Sequence, residues 1–252
     1  MPPSKSTIDP TLPPLHPSFS PPKTSPTGSE DSPNLKKIIA HLNLQPHIEG
    51  GYFVETDRDP LLIPSPFAPT TETPSTANPS PTRAGTAAAT AGETRHASTS
   101  IHYLLTPSQP LGAFHRNRGR TIHTLHHGRG RYVIIHADEI ASPSCAKGYG
   151  GPSDLAESER WVGKARVETF VVGSDVLRGE RVQWIVEGGK YKASFLLADD
   201  AEGGRESGGL LISETVVPGF EYGDHDFLRG ERLGELVGME QAGEMGWLLR
   251  EG

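Results

Sequence analysis

Residues 114–128 read FHRNRGRTIHTLHHG and hold four of the chain's eleven histidines, together with three arginines and no carboxylate. Side chains of a β-strand alternate between the two faces of a sheet, so His115 and Asn117 share one face. For the same reason, Thr121 and His123 share one face of the next strand. If both faces look into a barrel, these four side chains line its interior together.

The sequence around this stretch has the composition of short β-strands. Runs rich in valine, isoleucine, threonine and aromatic residues alternate with glycine-rich breaks, a pattern typical of an all-β sandwich or barrel. A glycine turn at Gly50 and Gly51 leads into a first strand within residues 49–56. We predict further strands at residues 99–105, 112–115, 121–127, 131–137, 165–173, 181–187, 191–198 and 209–217.

The two ends of the chain differ from this β-rich region. Residues 1–33 contain ten prolines and few large apolar side chains, so we predict a disordered tail. Asn34 is a candidate N-cap, and the apolar residues from Leu35 to Leu42 follow at helical spacing, which predicts a short helix. Residues 229–252 also have helix-like spacing and are predicted to form a helical extension despite their glycines.

Residues 34–228 are predicted to form a single domain interrupted by two insertions. Residues 60–92 contain seven prolines and only two charged residues, which indicates a low-complexity insertion between strands. Residues 138–164 have the composition of a second loop, and they contain the single cysteine, Cys145.

Bulk composition narrows the partners and the compartment. A net charge of −7 gives no electrostatic footprint for nucleic acid, so we expect no nucleic-acid partner. One cysteine fits a reducing compartment, and no apolar run approaches membrane-spanning length. We therefore expect no membrane association and a cytoplasmic location, with the nucleus as the alternative.

The opening stretch resembles the first motif of the cupin superfamily, a double-stranded β-helix or jelly-roll barrel. That motif runs His, one residue, His, three or four residues, Glu, six residues, Gly. Counted from His115, the second ligand position is Asn117, the glutamate position is Thr121 and the closing glycine is Gly128. The histidine of the second cupin motif falls on Lys192. One imidazole, an amide, a hydroxyl and an ammonium form a poor ligand set, so we expect no metal and no other cofactor.

A narrower resemblance covers about residues 35–228. Five strings, in this order, resemble one cupin branch catalogued as domain of unknown function family 985: HIEGGYFVET (47–56), TSIHYLL (99–105), FHR (114–116), VQWIVEGG (182–189) and VVPGFEYGDHDF (216–227). The resemblance implies an all-β cupin barrel with a short N-terminal helix and a C-terminal helix. Thr121 replaces the usual glutamate of the branch and His123 its usual tryptophan, which indicates an altered pocket.

The resemblance also suggests candidate catalytic residues. Cupin epimerases of deoxysugar nucleotides resemble this chain in fold and work without a metal, with a histidine base and a tyrosine acid. His115 or His123 is then the candidate base, and Tyr52 or Tyr103 the candidate acid.

Other polar side chains are candidate ligand-binding residues. His47 and Glu49, two residues apart, could form an acid–base pair, although a structural acceptor role is favoured for Glu49. Lys192 or Arg116 could hold an anionic group. Asp224, His225 and Asp226 lie on a loop beside a glycine, where we expect surface solvation. The candidate ligand-binding set is His47, Glu49, His102, Asn117, Thr121, Lys192 and Arg116.

Three functional hypotheses follow. The first is a metal-independent cupin that binds a small polar or anionic molecule, for example a sugar or nucleotide-sugar derivative. The second is a non-catalytic interaction or structural protein. The third is an enzyme, either a metal-independent epimerase or isomerase or a degenerate metal-dependent cupin that would need His115, His123 and further ligands. The resemblance also implies a homodimer.

Overall fold

The computed structural model describes residues 5–20, 30–67, 94–140, 164–199 and 207–250. These residues form β1 (Gln45–Pro46), β2 (Tyr52–Arg58), β3 (Leu62–Pro64), β4 (Thr94–His96), β5 (Thr99–Leu105), β6 (Leu111–Arg116), β7 (Arg120–His127), β8 (Gly130–Ile135), β9 (Val167–Val172), β10 (Gln183–Val186), β11 (Tyr191–Leu196), β12 (Leu210–Val217) and β13 (Asp226–Phe227). Three short α-helices accompany them: α1 (Pro33–His41), α2 (Gly230–Leu236) and α3 (Met239–Met245). The predicted strands are present, with boundaries that coincide or differ by up to three residues.

Two antiparallel sheets form the body of the domain. The six-stranded sheet has the order β1-β2-β5-β12-β7-β10, and the five-stranded sheet has the order β13-β6-β11-β8-β9. Alternate side chains of both sheets meet in one apolar cluster, which includes Tyr103, Tyr132, Trp184, Leu196 and Ile212. This cluster is the barrel interior, and the all-β jelly-roll prediction is confirmed.

Helix α1 covers the outer face of the six-stranded sheet. Leu35 is fully buried there against Leu44 and Leu104. The N-cap is Ser32 rather than the predicted Asn34, because the Ser32 hydroxyl accepts a hydrogen bond from the backbone N–H of Leu35 at 3.2 Å. Pro33 then occupies the first helical position, where its missing N–H costs nothing.

The C-terminal extension covers the outer face of the five-stranded sheet as two helices instead of one. Leu233, Met245 and Leu248 are buried against Phe114 on that face. Helix α2 ends before Val237, and Gly238 is the extended N-cap of α3, so the chain turns there and does not continue one helical axis.

The N-terminal segment differs from the predicted disordered tail over residues 5–20. Leu15 and Phe19 are buried, with exposed fractions of 4% and 7%. The backbone N–H groups of Thr7 and Leu15 donate to the Glu244 carboxylate at 2.7 and 2.8 Å. Two apolar anchors and one carboxylate on α3 therefore hold a proline-rich segment that has few other apolar side chains.

Both predicted insertions lie only partly within the described residues. The start of the first contains β3, which pairs with β4 in a separate two-stranded sheet. Residues 68–93 and 141–163 lie outside the described residues, so the insertion predictions stay untested there. No helix in the described part of the chain is long and apolar enough to span a membrane.

Candidate functional site

Strand alternation brings a buried ionic group into the barrel. Lys192 on β11 donates from Nζ to Glu214 Oε2 on β12 at 2.6 Å and lies 2.9 Å from His123 Nε2 on β7. The Glu214 oxygen and His123 Nε2 are 3.4 Å apart. All three residues are buried. A lysine from one sheet is thus held by an acid and an imidazole from the other.

The protonation states of this group follow from its contacts. Burial alone would raise the pKa of Glu214, but the Lys192 ammonium and the His123 imidazole hold that pKa well below its usual range. Burial lowers the pKa of His123, and the adjacent Lys192 ammonium lowers it further. His123 is therefore neutral, and its Nε2 accepts a hydrogen bond from Lys192. The His123 ring stacks on Trp184 with centroids 5.0 Å apart, which fixes its orientation.

A second polar group forms at the turn before β2. Gly50 and Gly51 have φ angles of 101° and 67°, a left-handed backbone that glycine adopts without strain. A Cβ on Gly50 would lie 2.0 Å from the Leu111 carbonyl oxygen, so the turn approaches β6 too closely for any side chain. The Ala113 N–H donates to the Glu49 carbonyl at 2.7 Å, and this contact fixes Glu49 against β6.

The Glu49 carboxylate is surrounded by imidazoles. His225 Nε2 lies 2.8 Å from Oε1, while His115 Nε2 and His47 Nδ1 lie 3.3 and 3.5 Å from Oε2. The rings of His115 and His225 are stacked, 10° from parallel with centroids 5.3 Å apart. His115 Nδ1 lies 2.8 Å from the Ala113 carbonyl oxygen.

Burial has opposite effects on the two partners of this contact. It would raise the pKa of Glu49, but the histidines His115 and His225 outweigh it and lower that pKa to about 2. It lowers the pKa of His115 to about 4, despite the attraction of Glu49. At neutral pH the site therefore contains a carboxylate beside a neutral His115.

A pocket of about 600 Å³, including its solvent-open mouth, joins the two polar groups. Glu49 and Glu214 both line it, and the side chain of Asn117 completes the polar part of the wall. The Asn117 Oδ1 atom is buried and has no hydrogen-bond partner among the described residues. The remaining lining residues are His47, Phe53, Glu55, Arg58, Thr99, Ile101, Val216, Phe220 and Tyr222.

Sequence comparison now identifies the family. Residues 36–228 match the family described as "Cupin superfamily (DUF985)". This chain belongs to that cupin family. The cupin is 39% identical over 220 residues to uncharacterized protein YML079W of Saccharomyces cerevisiae, and the match covers 87% of this chain and 88% of the relative.

Two solved structures have a similar fold. A hypothetical protein from Leishmania major matches 86% of the cupin and 98% of its own chain, at 25% identity and a TM-score of 0.58. Protein SO0799 from Shewanella oneidensis matches 89% of the cupin and all of its own chain, at 20% identity and a TM-score of 0.55. These similarities support the cupin fold over nearly the whole domain.

The side chains of His115, His123, Lys192 and Thr121 lie in the barrel, but their roles differ from the expectation. His115 contacts Glu49, whereas His123 contacts Lys192 and Glu214. Lys192 was a candidate anion-binding group, but Glu214 already balances its ammonium. Thr121 is buried and pairs with Val186 and Val216 on the neighbouring strands.

Three other predicted site residues lie outside the barrel. Tyr52 packs with the α1 cluster on the outer face, so the expected acid–base pair of a barrel histidine with Tyr52 is not formed. His102 points to the same outer side, where its ring lies 5.6 Å from that of His126. Arg116 projects from β6 on the side of Phe114 and binds Asp226 at 3.0 Å, so it is not an anion-binding group of the pocket. Tyr103, the alternative acid, is inside and donates its hydroxyl to the Gly50 carbonyl at 2.9 Å.

The sequence predictions did not include two interior side chains, Glu214 and His225, and they placed the loop of residues 224–226 in the wrong environment. Glu214 had a readable signal, since it follows Leu210 and Ile212 on the buried face of β12. The expectation of surface solvation for the loop of residues 224–226 is wrong. His225 contacts Glu49, and Asp224 is buried in an ion pair with Arg95 at 2.6 Å. No local sequence pattern relates this loop to the Glu49 turn, because the two segments meet only in the folded barrel.

Proposed function

We propose that the barrel pocket binds a small, neutral, hydroxyl-bearing molecule of about the size of a monosaccharide. The observation that carries this proposal is Asn117, a residue that lines the pocket and whose Oδ1 is buried without a hydrogen-bond partner among the described residues. A buried acceptor that stays unpaired costs about 1–3 kcal/mol, which a ligand hydroxyl would offset.

The charges of the pocket favour a neutral ligand over an anion. Glu49 and Glu214 both line the pocket with lowered pKa values and are ionised at neutral pH. Two nearby cations are already paired: Lys192 with Glu214, and Arg58 with Glu55 at 2.7 Å. A phosphate or carboxylate would meet two carboxylates and no uncommitted cation among these groups, whereas hydroxyl groups can donate to both acids.

The shape and polarity of the wall suit an amphipathic ring. Phe53, Ile101, Val216 and Phe220 provide apolar surface beside a few polar atoms, as is common for small-molecule sites. The C–H faces of a sugar pack on such surface while its hydroxyls reach the acceptors. This combination supports the sugar-class ligand over a purely apolar one.

A ligand screen with matched chemical pairs tests the proposal. Neutral monosaccharides and polyols are compared with the corresponding sugar acids and sugar phosphates by thermal shift and then by calorimetry. A neutral ligand at 100 times its Kd stabilises the fold by about 2.7 kcal/mol, and its anionic counterpart binds more weakly. Asn117→Ala weakens the neutral ligand, while His102→Ala, a polar truncation on the outer face, does not.

Two results would overturn the proposal. Preferential binding of the sugar acids or phosphates would show that the pocket selects anions. Failure of every neutral compound to bind at millimolar concentration would instead favour the non-catalytic interaction protein.

A further inference from the structure

We infer that Glu49, His115 and His225 form a binding site for one divalent transition-metal ion beside the pocket that Glu49 lines. This site uses only one of the four cupin motif positions, His115; the other three hold Asn117, Thr121 and Lys192. Glu49 and His225 come from the turn before β2 and the loop before β13. The proposal goes beyond the ligand-binding function, whose charge argument applies to the metal-free pocket.

The three side chains offer a suitable ligand set. Their nearest ligand atoms all lie within 4.8 Å of one another. Two imidazoles and one carboxylate with open positions are a common arrangement for divalent first-row metals. In a tetrahedral zinc site, metal–ligand bonds of about 2.0–2.1 Å place ligand atoms about 3.3 Å apart. The distance from His115 Nε2 to Glu49 Oε2 is 3.3 Å.

The hydrogen bond of His115 prepares its other nitrogen for a metal. Nδ1 lies 2.8 Å from the Ala113 carbonyl oxygen, which can only accept, so we assign the ring proton to Nδ1. Nε2 then presents a lone pair to the Glu49 carboxylate, and the contact joins two acceptors. A cation between them would turn this repulsive contact into two coordinate bonds. Metal-bound histidines usually donate their second nitrogen to a carbonyl or carboxylate in this way.

The site has an accessible side and a net negative charge. Glu49 and His47 line the pocket, so a bound ion would keep open positions toward it. Glu49 supplies the negative charge, while the nearby Lys192 ammonium is balanced by Glu214. His47 Nδ1, 3.5 Å from Glu49 Oε2, is close enough to become an additional ligand.

A second cluster of similar composition provides the matched control. The side chains of His136, Asp138 and Glu139 also approach within 4.8 Å of one another. This cluster already contains two cations, because Lys190 binds Asp138 at 2.8 Å and Arg166 binds Glu139 at 3.0 Å. A metal would have to displace these ammonium and guanidinium groups, so we expect none there.

Zinc titration of chelator-treated full-length protein tests the inference directly. We expect one equivalent of Zn²⁺ to bind in the absence of any organic ligand. Glu49→Gln and His225→Gln should each weaken binding by about 100-fold or more, since even loss of an outer partner costs up to that factor. His136→Gln should leave the affinity unchanged, and circular dichroism confirms that each variant is folded.

Spectroscopy on the unmodified protein keeps the test decisive if a variant does not fold. X-ray absorption of the zinc form should show nitrogen and oxygen ligands with the scattering signature of two imidazoles. The site would be overturned if the unmodified protein did not bind Zn²⁺, or if the Glu49 and His225 variants bound it as tightly as the unmodified protein. A spectrum without imidazole scattering would also overturn it. None of these outcomes bears on the sugar-class ligand, which the Asn117 variant tests separately.

Discussion

The Lys192 ammonium lies 2.6 Å from a carboxylate oxygen of Glu214 inside the barrel, with both side chains less than 10% exposed. Lys192 stands where the second cupin motif places a metal-binding histidine. Its ammonium is held by Glu214 and the His123 imidazole, so this part of the barrel contains a cation that belongs to the chain itself. Loss of one partner alone would leave the other as an unpaired buried charge, so we expect either single substitution to destabilise the interior far more than removal of both partners.

Lys192→Met tests how strongly the free energy of unfolding depends on this ion pair. The substitution leaves Glu214 as an unpaired buried acid, so the free energy of unfolding should fall by about 3–5 kcal/mol in urea denaturation. Lys192→Met with Glu214→Leu should lose much less, because no uncompensated charge remains. As a control, Arg120→Gln removes an exposed pair with Glu187 and should cost less than about 1 kcal/mol. Equal losses in the single and double variants would contradict the pairing.

The pH dependence of the free energy of unfolding should reflect protonation of the Glu214 carboxylate. Burial opposes ionisation, but Lys192 and His123 lower the folded pKa well below the ordinary 4.5. Above pH 4.5 the pair contributes its full stability; as the pH falls further, the unfolded carboxyl gains a proton and the contribution is lost. Lys192→Met with Glu214→Gln should therefore flatten the acid limb of the unfolding curve. An exposed control, Glu235→Gln, should leave that limb unchanged, and an unchanged limb in the double variant would refute the assignment.

Gly50→Ala tests the turn that positions Glu49. Its φ of 101° and the 2.0 Å approach of a Cβ to the Leu111 carbonyl make any side chain unfavourable. We expect a loss of at least about 1–3 kcal/mol in chemical denaturation. Gly234→Ala in α2 meets open space and should instead stabilise by about 0.5–1 kcal/mol. Similar effects of both substitutions would argue against a strained turn at Gly50.

Limited proteolysis tests how the N-terminal segment is held. Glu244→Ala removes the acceptor for the Thr7 and Leu15 backbone groups, so cleavage within residues 5–20 should become several-fold faster. Glu240→Ala, at an exposed position of the same helix, should leave the cleavage rate equal to that of the unmodified protein. Rapid cleavage of this segment in the unmodified protein would support the disordered tail that the composition predicted.

The sequence was sufficient for the fold because the signals for strands are local. Alternation and turn glycines are properties of a few neighbouring residues, and the strings at residues 47–56 and 216–227 resembled one cupin branch. The faces of β5 were harder to read, since α1 buries Leu104 outside while Tyr103 is buried inside. Because both faces of β5 carry apolar residues, the alternation of apolar and polar residues along the strand does not show that His102 lies outside the barrel.

The candidate site was only partly predictable for a different reason. His115, His123 and Lys192 occupy motif positions, but their partners Glu49, Glu214 and His225 reach them through contacts between segments distant in sequence. The prediction of no metal considered only the residues at the four cupin motif positions. Glu49 and His225 lie outside those positions, so they were not considered as ligands. The homodimer and the cytoplasmic location stay predictions.

A crystal structure with the tightest-binding neutral monosaccharide, prepared without polyol cryoprotectants, tests the proposed ligand site most directly. We expect a sugar in the pocket with a hydroxyl within hydrogen-bond distance of Asn117 Oδ1 and its ring against Phe53 or Phe220. A saturating sugar bound elsewhere, or a pocket that holds only water under those conditions, would contradict it.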